Sequence, residues 1–220
     1  MAAAAALLGA TLGAANGGAW AQSPFLGATP EPVTILDYVG DAMEPFISRD
    51  GRLLFFNNRN DRQEHTDLLV AARLNATTFR SLGPVRGANS SALDAVASQD
   101  RMGRLYFIST RDYAATLNTI FVGRYAQGQA RQVRPVEGLA APARGRVHFD
   151  AEISANGEAL YLVDGSFIGG SLPWDADLII ARRYGERRFV RDNRSGIIFS
   201  GSPPGRSNMR RRSAAMSGSF

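Results

Sequence analysis

The chain has 220 residues, 45% of them apolar, and a formal net charge of +5, which suits one domain with tails. It holds no cysteine, so a disulfide framework, a thiolate metal centre and a cysteine nucleophile are excluded. Every Lys/Arg position is arginine, and outside the tail cluster Arg210, Arg211 and Arg212 these are scattered among acids, so no nucleic-acid surface is expected.

Residues 2–15 are almost wholly Ala, Leu and Gly, and Ala19 and Ala21 supply a small-x-small site. This is a signal-peptide pattern over residues 1–21, with no basic residue before Arg49. The apolar run is too short for a transmembrane helix. The expectation is an exported protein, periplasmic or secreted, with no membrane span in its mature form. Residues 22–39 read as a linker.

From residue 40 to about 200 one pattern recurs. Residues 44–56, 94–107 and 150–162 each begin with an acid (Glu44, Asp94, Asp150). After three intervening residues comes a serine, then Asp or Asn, then Gly: Ser48, Asp50 and Gly51; Ser98, Asp100 and Gly103; Ser154, Asn156 and Gly157. The second copy then carries one extra residue in its turn. An apolar triplet follows at Leu54, Leu105 and Leu160. Serine and Asp/Asn bond nearby backbone N–H groups, and glycine supplies the positive φ of a tight turn. Each turn should therefore fold one strand back on the next. Further strands are expected at residues 66–73, 118–125 and 176–184, and weaker outer ones near 79–82, 131–136 and 187–191.

These segments resemble the Ser-Pro-Asp-Gly strand signature of TolB-like, WD40-like propeller repeats. Residues 107–111, Phe-Ile-Ser-Thr-Arg, are similar to the Phe-x-Ser-x-Arg that often follows it. The family's proline is absent from all three copies. The resemblance implies an all-β fold, a β-propeller of four-stranded blades at about residues 44–92, 93–148 and 149–200. A closed ring has four to eight blades, so the propeller is expected to be incomplete. Residues 201–220 read as a disordered Arg/Ser-rich tail. Further copies are expected in other frames of the downstream DNA.

Catalytic signatures are few. Residues 165–169, Gly-Ser-Phe-Ile-Gly, have the wrong spacing for a nucleophile elbow, and no phosphate loop, dinucleotide fingerprint or zinc-protease motif occurs. Neither a cofactor nor a metal is expected. His65, in a polar stretch, reads as a solvated loop residue; His148 stands two residues before Asp150 and could contribute to a metal site or an acid/base pair, the leading reading being a packed or surface strand histidine. Asp175 and Asp177 resemble a metal pair, but Asp177 matches Asp67 of the first unit, so a repeated position explains it. Residues 169–173 read as an enlarged loop.

In the resembled fold the segment before the serine lies beside the central channel. Glu44, Asp94 and Asp150 would then form a negative ring able to hold a cation or a partner's basic group. The alternative is that each acid bonds a backbone N–H or an arginine. The leading expectation is an exported, non-enzymatic module that binds another exported protein or a small ligand. A propeller enzyme, or an enzyme-associated domain of the glycan lyase, hydrolase or peptidase-linked kind, is the alternative. A fragment without function is the third reading.

Overall fold

A computed structural model of the chain describes residues 29–59, 66–167 and 173–195. The signal-peptide segment, His65, loop residues 168–172 and the tail 201–220 lie outside the described residues. The chain divides into Met1–Pro32 and Val33–Phe220. Residues 29–32 of the first unit form neither strand nor helix. The described residues of the second are all-β and form three separate sheets.

The first sheet contains β1 (Thr34–Leu36), β2 (Met43–Ile47), β3 (Leu53–Asn57), β4 (Leu68–Arg73) and β5 (Thr78–Pro84). Strands β2 to β5 form an antiparallel meander. Strand β1, inside the stretch read as a linker, adds parallel to β5. The second sheet is a meander of β6 (Asp94–Gln99), β7 (Arg104–Ser109), β8 (Ile120–Ala126) and β9 (Gln129–Pro135). One helical turn, α1 (Tyr113–Thr116), separates β7 from β8. The third is a meander of β10 (Arg146–Ile153), β11 (Ala159–Ser166), β12 (Asp175–Tyr184) and β13 (Arg188–Arg191). The triplets at Leu54, Leu105 and Leu160 therefore lie in three different sheets.

The triplets are apolar at consecutive positions because β3 and β7 are buried on both faces. Phe55, with Leu68 and Val70, packs against Leu105, Phe107 and Phe121 of the second sheet. The opposite face of that sheet, with Tyr106, Ile108, Ile120 and Val122, packs against Leu160, Leu162 and Ile179 of the third. Each of these large side chains contributes about 1.5–3 kcal/mol on burial. The remaining face of the first sheet, with Leu54, Phe56 and Phe79, is covered by Ile35 and Tyr38.

The turns explain the recurring serine. Ser48 Oγ accepts from Leu53 N at 2.9 Å and donates to Asp50 Oδ1 at 2.6 Å. Ser154 Oγ accepts from Ala159 N at 2.9 Å and donates to Asn156 Oδ1 at 2.7 Å. Gly51 and Gly157, at φ +74° and +77°, donate back to the Ser48 and Ser154 carbonyls. In the second sheet this place belongs to Asp100. Its Oδ1 accepts from Met102 N at 2.9 Å and Arg104 N at 3.0 Å, and Gly103 donates to its carbonyl. The expected extra residue in the second turn is therefore corrected: that turn, residues 100–103, is one residue shorter than those at 48–52 and 154–158. The surplus sits upstream, because the corner is Asp100 and not Ser98. Ser98 Oγ instead accepts from Ile153 N at 3.0 Å, joining the second sheet to the third.

Residues 84–87 and 135–138 both read Pro-Val-x-Gly and link each sheet to the outer edge of the next. Arg86 O accepts from Ala130 N at 2.8 Å, and Glu137 O accepts from Phe189 N at 2.9 Å. Gly87 and Gly138 have φ +78° and +85°, and a Cβ on either would overlap the carbonyl oxygen of Ala130 or Phe189.

Candidate functional site

Strands β2, β6 and β10 are the first strands of their meanders, and β6 packs against both others. Each has a register shift, at Met43/Phe46, Ala95/Ser98 and His148/Asp150. Such bulges re-aim side chains. Counting back four residues from the corners at Ser48, Asp100 and Ser154 gives Glu44, Val96 and Asp150. Glu44 and Val96 have φ values of 49° and 54°. For a β-branched residue like Val96 this is a strained conformation, costing about 1–3 kcal/mol.

Residues 44–46, 96–98 and 150–152 enclose a pocket of about 220 Å³. One equivalent triplet comes from each sheet. Glu44, Asp150 and Glu152 are its acidic side chains, and no side chain lining it is basic. Desolvation by the surrounding protein raises the Asp150 carboxyl pKa, and the charge of Glu152 raises it further, against a hydrogen bond from the Ala151 backbone.

Arg49 closes one side. Its guanidinium donates to Gln99 O at 3.0 Å, Ile153 O at 2.6 Å and Glu152 Oε1 at 3.2 Å, and lies 5.1 Å from the centre of the Phe46 ring. One arginine of the first sheet thus touches all three. With Arg49 counted, three acids still outnumber one cation.

The structure brings Glu44 and Asp150 together and places Asp94 elsewhere. Asp94 is fully buried. Its carboxylate accepts from Arg111 at 2.5 Å, Ser90 N at 2.5 Å and Ser90 Oγ at 2.7 Å. The anticipated ring of three acids becomes a pocket with Val96 at the second position and Glu152 as an additional acid. Among the described residues no group of three or more His, Asp or Glu side chains is placed to hold a metal ion.

His148 does not face Asp150. It lies opposite Asp164 in the ladder and is fully buried. Its Nε2 stands 3.3 Å from an Arg191 nitrogen, which can only donate, so the ring is neutral with its proton on Nδ1. Burial, opposed by Asp164 but reinforced by Arg191 and Arg146, lowers its pKa to about 4. A ring so enclosed offers no face to a substrate. Asp164 receives Arg191 and, at 3.1 Å, Arg146. Arg146 also reaches Asp175 at 3.2 Å and Asp177 at 3.5 Å, so those two acids answer an arginine.

A larger open trough of about 510 Å³ lies beside residues 132–134 and Glu186–Arg187 at the sheet edges. It gathers no equivalent positions from the three sheets, so the inner pocket is the better candidate. No family model matches this sequence, and no curated relative matches it either.

Proposed function

We propose that this chain is an exported, non-enzymatic binding module built as consecutive blades of a propeller of the TolB-like, WD40-like kind, with the pocket at residues 44–46, 96–98 and 150–152 as its ligand site. The occupant is a cationic group, presented by another exported protein or a small ligand. One observation carries this reading: equivalent positions on three successive sheets converge on one pocket whose titratable lining is acidic. Inner strands around a common channel would produce that convergence, and net negative charge would draw in cations.

The test is calorimetric titration of the full chain with a short Arg/Lys peptide and with its Glu-substituted counterpart. Binding of the basic peptide alone is expected, weakened by salt. A triple Glu44→Gln, Asp150→Asn, Glu152→Gln variant should bind at least about tenfold more weakly. The reading fails if the variant binds as the parent does, or if neither peptide binds. Because the Asp150 pKa is raised, its contribution should fade earlier on acidification than that of an ordinary aspartate.

A further inference from the structure

We propose that the occupant of the inner pocket is an alkylammonium group, a cation carried on a short apolar stem as on a lysine side chain, and not an inorganic ion. This rests on the reading of that pocket as the ligand site and names what it takes. The decisive position is Val96. Counted from the corners, it stands where the first and third sheets place Glu44 and Asp150, and it lines the same cavity. The pocket therefore has two kinds of wall. Glu44 of β2 and Asp150 of β10 supply acid, while Pro45, Phe46 and Val96 supply hydrocarbon. Phe46 packs against the core between the first and second sheets, and Val96 against the core between the second and third. The cavity thus lies where the margins of both cores meet.

An inorganic cation of the calcium or magnesium kind is surrounded by oxygen ligands. A third acid at the Val96 position would supply them, and valine supplies none. Valine is also ill suited to its φ of 54°, which Asn or Gly would adopt with less strain. Strain of this kind is kept where a site needs the side chain that bears it. The other polar groups of the lining are engaged: Glu152 is held by Arg49 at 3.2 Å, and Ser98 Oγ accepts from Ile153 N at 3.0 Å. The charge of the ligand is therefore met by Glu44 and Asp150, and its stem by Phe46 and Val96. The size agrees. A volume of about 220 Å³ falls below the roughly 300–1,000 Å³ of pockets for drug-sized ligands. At about 30 Å³ per water it is the room of roughly seven waters, enough for one side chain.

A series of stems tests this. Methyl-, ethyl-, propyl- and butylammonium chloride are titrated into the full chain at fixed ionic strength and followed by NMR amide shifts. Affinity is expected to rise about two- to fourfold per methylene, because each one leaves water for an apolar wall. Calcium chloride carries charge without a stem, and n-butanol a stem without charge. Each should bind at least about tenfold more weakly than butylammonium. Val96→Asn, whose new side chain tolerates a left-handed backbone, should flatten the rise along the series, with circular dichroism to verify its fold. Three outcomes would overturn the alkylammonium and leave a site for cations in general: no rise along the series although the basic peptide binds, a rise that survives Val96→Asn, or calcium displacing butylammonium at equal concentration. Butanol binding as tightly as butylammonium, or no binding of any cation, would overturn the ligand site as well.

Discussion

The second and third sheets solve one problem in opposite ways. Where the first strand of each meander begins, the backbone buries a polar side chain opposite the second strand. In the second sheet it is Asp94 facing Ser109, and in the third it is His148 facing Asp164. The anion has crossed from one strand to the other. The arginines follow it: Arg111 reaches Asp94 from the end of β7, and Arg191 and Arg146 reach Asp164 from β13 and β10. What recurs is a buried anion answered by guanidinium, and which strand supplies it is free to change. A buried charge is tolerated only with its partner, so the pair is kept while its addresses move.

The sharpest way to break this comparison is to remove one arginine from each sheet. Arg111→Met leaves Asp94 with only its Ser90 bonds, and a loss of about 3–5 kcal/mol is expected in urea unfolding. Arg191→Met leaves Asp164 with Arg146, so a loss of about 1–2 kcal/mol is expected. Equal losses would end the claim that the third sheet holds its anion redundantly.

Acid should distinguish the sheets next. The folded pKa of His148, about 4, lies below its ordinary value of 6.5. The unfolded chain therefore takes up this proton first, and stability falls as pH falls from about 6.5 to about 4. The full shift corresponds to about 3 kcal/mol. His148→Asn should flatten that part of the stability–pH curve, measured by urea unfolding at several pH values. An unchanged slope would show that His148 is not the group responsible.

The smallest effect is expected at the corner. Asp100→Ser places in the second sheet the residue used at Ser48 and Ser154. It keeps an acceptor for the turn and loses the 2.5 Å pair with Arg104. The thermal shift should correspond to about 1 kcal/mol, while Asp100→Ala, which also strips the turn of its acceptor, should cost roughly twice that. If Ser and Ala cost the same, the corner does not depend on a side-chain acceptor.

Much of this fold was legible in the residues. Leu54, Leu105 and Leu160 marked three buried strands, and the turns at Ser48 and Ser154 form with the bonds their residue types suggest. Asp100 shows why the rest was not legible. Counting acid-x3-serine in the second unit selects Ser98, yet an aspartate can hold a turn as a serine does, and only the backbone tells which residue does so. The resulting two-residue offset sent Asp94 to the pocket on paper, where the structure puts Val96. A bulge has no fixed residue signature, but it decides which side chains face inward. The three-residue β1 was invisible because the strand it pairs with, β5, is more than 40 residues away in the chain. One missed signal was present: Pro-Val-x-Gly occurs at residues 84–87 and 135–138 and marks each crossing to the next sheet.

The reach of Arg49 bears on how the molecule comes apart. Neighbour-only contacts would let an array of similar units peel from either end, each losing only its own interface. Arg49 ties the first turn to Ile153 and Glu152, over 100 residues along the chain. Detaching the last unit therefore also strips the first of its anchor, and amide protons of β2 and β10 should exchange with solvent in a single cooperative opening.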